Sequence, residues 1–338
     1  MRTLAFLLLM LAQTLLNGSQ AQTAEQKTPV YRVDVHEVLL DAQVLDKKTR
    51  HAIPSLKAID FQVYEDNVLQ RLSVFSQDKM PLSVVLLFDL TDSVRPVLKS
   101  LAEGALEALQ HLKPEDEVTV MTYAASTQVL QEATKDRGLA VAAIEKASRM
   151  ESDEAAFFNE GIFQAAEQLS KSKSTNAFSR HVIIWLTDNV PNIPSEDAVP
   201  LRYRRSLKGA MPHSQAETIQ RLLRSDVVVC SLLKQSDLSV SGESGLRAKP
   251  AERMLHPPGE VYKYAATTGG QVIEFKKKDL QEKLELLIDD LRMRYSLGYH
   301  PSVQKPKGKY CAIKVKLTPE AKKTVGNVVV EARQGYYR

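Results

Sequence analysis

The sequence is poor in the residues that several common protein classes depend on. Its 338 residues include only two cysteines and one tryptophan, and aromatic residues make up 6% of the chain. Two cysteines exclude a small domain held together by several disulfides, and the sequence leaves open whether Cys230 and Cys311 pair. The 45 basic and 41 acidic residues give a net charge of +4, without the dense basic stripe that nucleic-acid binding requires.

Long hydrophobic runs are also lacking. The longest lies near the N-terminus, at residues 4–16, and is shorter than the roughly 20 residues that span a bilayer. Arg2 precedes this run and the small residues Ser19 and Ala21 follow it, as in a secretory signal peptide. We therefore expect residues 1–21 to be a cleaved signal peptide and the protein to be exported, to the periplasm or the cell exterior. An uncleaved membrane anchor is the alternative.

What remains is an ordinary globular composition, with 43% hydrophobic and 25% charged residues. The length predicts about two domains. Residues 28–78 alternate between apolar and polar positions, which indicates strands with one solvent-exposed face. The pattern changes at residues 83–88, which are apolar after Ser83, as are 182–186 and most of 227–233. Such runs are typical of strands buried on both faces of a parallel sheet.

Helical patterns separate these buried strands. Apolar residues recur at helical spacing between Leu98 and Leu112 and again between Ile162 and Leu169. Strands that alternate with helices predict an α/β domain with a doubly wound, mostly parallel sheet, which we place at residues 79–292. Alternation returns in residues 293–338, and we expect this C-terminal β segment to combine with the N-terminal one into a small β domain.

Acidic and hydroxyl residues follow two of the predicted buried strands. Asp89, Thr91 and Ser93 come after the first strand, and Asp188 follows a later one. In open parallel sheets, ligands bind beyond the carboxyl ends of the strands, so these side chains should converge. Oxygen ligands suit a hard divalent cation such as Mg²⁺. The alternative is that Asp89 and Ser93 only cap the following helix.

This arrangement resembles the von Willebrand factor type A domain, whose metal-ion-dependent adhesion site has the pattern Asp-x-Ser-x-Ser, a Thr from a second loop and an Asp after a third strand. The segments 59–67, 266–271, 291–299 and 334–337 further resemble secreted bacterial proteins related to this domain that are common in Acidobacteria. The resemblance covers nearly all of the chain after residue 21.

The resemblance implies a metal site formed by Asp89, Thr91, Ser93 and Asp188, with Mg²⁺, Mn²⁺ or Ca²⁺ as the ion. Thr91 replaces the usual serine and keeps a hydroxyl. Ala156 stands where the second loop's threonine belongs, so one protein ligand is lost and metal binding should be weak or absent. The alternative is that Ser152, Asp153, Glu154 or a water replaces that ligand.

The function implied by the resemblance is that of a non-enzymatic, adhesion-type module. A partner protein would present an acidic side chain to the metal. A metal-independent structural or assembly module of the cell envelope is the alternative. A metal-assisted hydrolase is less favoured, because the sequence offers no nucleophile or histidine partner for Asp89 or Asp188.

Overall fold

The computed structural model describes residues 37–77, 80–92, 94–151, 156–171, 179–189, 212–235, 260–303 and 305–338. The predicted signal peptide, residues 1–21, lies outside these ranges. The described strands are β1 Val38–Asp46, β2 Phe61–Glu65, β3 Val68–Gln70, β4 Leu72–Ser76, β5 Leu82–Asp89, β6 Glu117–Tyr123, β7 Thr127–Thr134, β8 Arg180–Thr187, β9 Val227–Lys234, β10 Val272–Phe275, β11 Tyr295–Tyr299, β12 Tyr310–Leu317, β13 Val328–Ala332 and β14 Gly335–Tyr337. The described helices are α1 Arg95–Gln110, α2 Arg137–Ser148, α3 Phe158–Lys171, α4 Gln215–Arg224, α5 Glu260–Thr268, α6 Leu280–Arg292 and α7 Pro319–Val325.

A six-stranded sheet with the order β10-β9-β8-β5-β6-β7 forms the centre of the α/β domain. Strands β10, β9, β8, β5 and β6 are parallel to one another, and every residue of β5 is buried. Apolar side chains of α1, α2 and α6 cover one face of the sheet. Those of α3, α4 and α5 cover the other. The predicted α/β fold with a doubly wound, mostly parallel sheet is therefore confirmed.

Strand β7 is an element that the sequence pattern did not reveal. It pairs antiparallel with β6 at the edge of the sheet, and none of its residues is fully buried. Because an exposed edge strand has no need for a continuous apolar run, its mixed sequence resembles a polar loop.

The terminal β segments form two antiparallel four-stranded sheets, with the orders β13-β1-β11-β4 and β14-β12-β2-β3. Strand β1 pairs with β11 on one side and β13 on the other, and β2 pairs with β12. Each sheet thus contains strands from both ends of the chain, which confirms that the two segments combine. The domain limits 28–78, 79–292 and 293–338 stay predictions.

A shared core explains why the two segments need one another. Tyr295, Leu297 and Tyr299 from the C-terminal segment pack with Leu40 and Val63 from the N-terminal one, and all five are buried. A short hairpin is at best marginally stable in water, so neither segment buries enough apolar surface by itself.

Buried arginines join these sheets to the α/β domain. Arg180, the first residue of β8, donates to both carboxylate oxygens of Asp41 at 2.6 and 3.0 Å. Its third hydrogen bond, at 2.8 Å, goes to the carbonyl of Leu291 at the end of α6. Arg294 is fully buried and donates to the carbonyl of Gly269 and the side chain of Gln43.

The two cysteines do not pair. Cys230 lies in β9 and Cys311 in β12, and both are free and buried. Burial raises the pKa of Cys230 to about 11, so this thiol stays protonated and unreactive at neutral pH.

None of the helices in the described ranges is long and apolar enough to cross a membrane.

Candidate functional site

The candidate site lies where the order of the parallel strands reverses. The chain leaves β5 through α1 to reach β6 on one side, and later returns to β8 on the other side. Asp89 is the last residue of β5, and Asp188 directly follows the last residue of β8. Because β5 and β8 are neighbouring parallel strands, both carboxylates lie at the same edge of the sheet. This is the edge at which open α/β sheets bind their ligands.

The Asp89 carboxylate is fully buried and is held by hydrogen bonds from Thr91, Tyr123 and Thr187. The backbone N–H of Thr91 donates to Oδ1 at 2.9 Å. The hydroxyls of Tyr123 and Thr187 donate to Oδ2 at 3.0 and 2.9 Å. The carboxylate is therefore oriented by groups from three strands or their following loops.

The electrostatics of this carboxylate favour a positive charge nearby. The pKa of Asp89 is raised to about 6, chiefly because the carboxylate is buried. The hydrogen bond from the Thr91 backbone lowers this pKa, and the negative charge of Asp188 raises it. Burial and the charge of Asp188 both disfavour the ionised form. A cation at this edge of the sheet would stabilise the ionised form of Asp89.

Tyr123 and Trp185 form a hydrogen-bonded chain that ends at Asp89. The sequence patterns did not point to either residue. Trp185 donates its indole N–H to the Tyr123 hydroxyl at 2.9 Å, and that hydroxyl donates to Asp89. Burial and the charge of Asp89 raise the pKa of Tyr123 well above its usual value, so the phenol keeps its proton and remains a donor. The position of Tyr123 and Trp185 in the two strands adjacent to β5 follows from the sheet order, which the sequence alone does not give.

The structure places the remaining predicted ligands as follows. Thr91 is buried in the loop after Asp89, and its carbonyl accepts the backbone N–H groups of Val94 and Arg95. Asp188 is half-buried and close enough to Asp89 to affect its ionisation. Ser93 lies outside the described residues.

The capping alternative does not hold for Asp89. Helix α1 begins at Arg95, and the residue at its N-cap is Val94, which contributes no side-chain hydrogen bond. Asp89 lies farther upstream, and its carboxylate accepts the N–H of Thr91 instead. The acid is thus free of a capping role.

Ala156 lies near the same edge of the sheet. The neighbouring Phe157 donates its backbone N–H to the carbonyl of Ala124 at 3.2 Å, which places this segment beside the end of β6. Ala156 is 4% exposed and packs in the apolar cluster that includes Tyr123 and Phe158. A methyl group offers no ligand atom, so this position contributes nothing to a metal.

The donor set at this edge fits a hard divalent cation in part. Asp89, Thr91 and Asp188 offer oxygen atoms alone, which is the ligand type of Mg²⁺, Mn²⁺ and Ca²⁺. Mg²⁺ in particular retains several waters and needs only one or two carboxylates from the protein. Because Ala156 supplies no oxygen, we expect more of the coordination shell to be water.

A second group of potential ligand atoms lies in the antiparallel sheets. Atoms of Glu65, Asp66 and Cys311 lie within 4.8 Å of one another. Glu65 already accepts hydrogen bonds from the hydroxyls of Tyr299 and Tyr336. Asp66 pairs with the ammonium group of Lys305 at 2.5 Å. These partners already account for the carboxylates, so we assign the cluster a structural role.

A comparison with known proteins finds one family match, in the central part of the chain. Residues 84–190 match the family model of the von Willebrand factor type A domain. The matched region begins in β5 and ends just after Asp188, so it contains the candidate site. It spans less than half of the chain, and the narrower likeness to the secreted acidobacterial proteins stays a prediction. No curated protein matches the sequence.

Solved structures with a similar arrangement are more distant. Proximal thread matrix protein 1 from the mussel byssus is 13% identical, with a TM-score of 0.39 over 65% of this chain and 49% of its own. The same mussel protein with a zinc-occupied MIDAS motif is 13% identical, with a TM-score of 0.38 over 64% and 49%. BatB from Bacteroides thetaiotaomicron, described as a conserved hypothetical protein, is 15% identical, with a TM-score of 0.39 over 62% and 98%. The chain thus spans about half of the mussel protein's length.

Proposed function

We propose that the protein is an exported, non-enzymatic module that captures a partner protein through a degenerate metal-ion-dependent adhesion site. The observation that carries this proposal is the convergence of Asp89 and Asp188 at the switch point of a sheet that matches the von Willebrand factor type A domain. The export is proposed from the signal-like residues 1–21.

In this proposal Asp89, Thr91, Ser93 and Asp188 hold a divalent cation, with Mg²⁺ as the first candidate. When bound, the ion offers an open coordination position that an acidic side chain of the partner can occupy. Thr91 N–H, Tyr123 and Thr187 hold the Asp89 carboxylate in a single orientation, so little ordering is required at the moment of binding. The contact is therefore orientation-specific.

One observation favours a second candidate function. The buried methyl of Ala156 removes an oxygen ligand, and a module without metal would tolerate that loss. The same edge of the sheet would then serve as a metal-independent structural or assembly surface of the cell envelope. The two functions differ in whether partner capture survives a chelator.

Metal binding should be visible through Trp185, the only tryptophan. Its indole is linked through Tyr123 to Asp89, so a cation beside Asp89 should change its fluorescence. We expect titration with Mg²⁺ or Mn²⁺ to give a one-site curve by fluorescence and by calorimetry. Asp89→Ala should abolish both signals.

The matched control is Asp92→Asn, which removes a charge from the same loop. The Asp92 side chain is 81% exposed and pairs with Arg95. We expect it to weaken binding by no more than about threefold, as for a screened surface charge. Identical titrations of wild-type protein and Asp89→Ala would reject the metal site and favour the metal-independent module.

The missing ligand predicts a gain of affinity from Ala156→Thr. A threonine hydroxyl at this position adds an oxygen, and we expect metal binding to tighten by roughly tenfold, equivalent to about 1.4 kcal/mol. Ala156→Val is the control, because valine has nearly the same shape and no hydroxyl. Equal affinities of the two variants would show that residue 156 does not face the metal.

A further inference from the structure

A groove of about 660 Å³ lies between the α/β domain and the antiparallel sheets, and its described lining residues include none of the proposed metal ligands. Its walls come from α5 and β10 on one side and from β12 and β13 on the other. The volume falls within the range of about 300–1,000 Å³ that is typical of ligand sites.

A change of sheet in the C-terminal strands creates this groove. Strand β13 pairs with β1 in one antiparallel sheet, whereas β14, which follows after only Arg333 and Gln334, pairs with β12 in the other. Strands β12 and β13 must therefore diverge from the point where the chain crosses between the sheets. Ile313, Val315, Val329 and Val330 line the space between them.

The divergence leaves one edge of β12 open. Strand β14 pairs only with Tyr310, Cys311 and Ala312, and the last bond on this side runs from the Ile313 N–H to the Gln334 carbonyl at 2.7 Å. Backbone groups of alternate residues in a strand point to the same side, so the N–H and C=O of Val315 face the groove. No strand in the described part of the chain pairs with this side of Val315.

Four charged residues line the groove, and three of them are in ion pairs. Arg50, Lys314 and Arg333 line it together with one acid, Glu331. Arg50 pairs with Glu331 at 2.5 Å, and Arg333 pairs with Asp226 at 2.5 Å. Lys314 is exposed and has no ion pair within the ranges that the structure describes. An occupant with an acidic side chain beside Lys314 would complement this charge.

We propose that the groove binds an extended, acidic peptide segment of a partner protein. The segment pairs its backbone with the open edge at Val315, lies between β12 and β13, and places an acidic side chain against Lys314. Addition of a strand to an open sheet edge is a general mode of peptide recognition, in which the backbone bonds supply affinity and the side chains supply selectivity. A free backbone edge favours a peptide over a small anion, which has no use for paired N–H and C=O groups.

The test uses two short fluorescein-labelled peptides, one of alternating valine and glutamate and the other of alternating valine and lysine. Fluorescence anisotropy is measured with the full protein in EDTA, so that the result does not depend on the metal site. We expect the acidic peptide to bind and the basic one not to bind. Failure of the acidic peptide to bind, or equal binding of both, would overturn the proposal.

Two variants test the two kinds of contact. Val315→Pro removes the N–H that faces the groove and leaves the ladder with β2 intact, because proline is tolerated where the N–H of an edge strand is unpaired. It should abolish binding. Lys314→Glu should weaken binding by at least about tenfold, and since its side chain is exposed, it should leave the unfolding curve unchanged. Lys323→Glu, an exposed lysine on α7 outside the groove, is the matched control and should bind normally.

The other occupants predict different results. If glutarate fully displaces the acidic peptide, the groove binds small anions. If the protein dimerises at higher concentration and the dimer no longer binds the peptide, the groove binds a second copy of the chain. Binding that appears only after residues 236–259 are shortened would assign it to the chain itself. Each of these results, or full binding by both Val315→Pro and Lys314→Glu, would overturn the proposal.

Discussion

Replacement of Asp89 by asparagine is expected to stabilise the metal-free protein by about 3 kcal/mol at pH 8. The carboxylate is fully buried and lies close to the charge of Asp188. Its pKa is raised from 3.8 to about 6 in the folded state. Each pKa unit corresponds to about 1.36 kcal/mol, so the ionised carboxylate opposes folding by about 3 kcal/mol above pH 6.

The direction of the pH dependence follows from which state binds the Asp89 proton more tightly. Because the folded pKa is the higher one, the folded state holds this proton more tightly than the unfolded chain does. The contribution of Asp89 to stability therefore falls as the pH rises from about 4 to about 6, and stays low above that. Asparagine is neutral at every pH. The free energy of unfolding of Asp89→Asn should therefore exceed that of the wild type by a large amount at pH 8 and hardly at all at pH 4.

Urea unfolding in EDTA at both pH values measures this difference. Asp92→Asn in the same loop should show little change at either pH, because its carboxylate is exposed. Asp89→Asn should also lose the stabilisation that Mg²⁺ is proposed to give the wild type, so the order of stability should reverse in saturating metal. A loss of stability in Asp89→Asn at pH 8 would mean that the hydrogen bonds from Tyr123 and Thr187 outweigh the burial of charge.

Arg180→Ala should lower the free energy of unfolding by about 3–5 kcal/mol. Its side chain is 1% exposed, and three hydrogen bonds tie it to Asp41 in β1 and to the end of α6. Removal of the guanidinium leaves the Asp41 carboxylate without its closest positive charge. The loss is large because a mostly buried carboxylate then loses both of its guanidinium hydrogen bonds.

This pair also has a pH signature. Burial raises the pKa of Asp41, but the charge and hydrogen bonds of Arg180 and the charge of Arg294 outweigh it, so the folded pKa is lowered. The stability that the pair contributes is therefore present above pH 3.8, the ordinary value, and is lost as the pH falls through the lower folded value. In Arg180→Ala this acid-dependent loss should be reduced.

Arg149→Ala provides the control for Arg180. Arg149 pairs with Glu145 on the surface of α2 and is 76% exposed, so its loss should cost no more than about 1 kcal/mol. The double variant Asp41→Leu/Arg180→Met should be more stable than Arg180→Ala, because no unpaired charge remains. Equal effects of Arg180→Ala and Arg149→Ala would show that the buried pair does not hold the sheets together.

The parallel part of the fold could be predicted from the sequence because strands buried on both faces appear as apolar runs. Residues 84–88, 182–186 and most of 227–233 are apolar because both faces of each strand are covered, whichever helix covers them. The same signal located the site, since Asp89 and Asp188 directly follow such strands and parallel strands end at one edge. Strand β7 escaped detection because an exposed edge strand need not be apolar.

The tertiary structure alone decided which distant residues act together. Asp89 and Tyr123 are 34 residues apart, and Asp89 and Thr187 are 98 apart, so no local pattern links them. The contact of Arg180 with Asp41 spans 139 residues, and the groove arises only because β13 and β14 join different sheets. The spacing of apolar residues in the sequence indicates which face of a helix or strand is buried. Hydrogen-bond partners and open strand edges depend on how the elements are placed against one another in three dimensions.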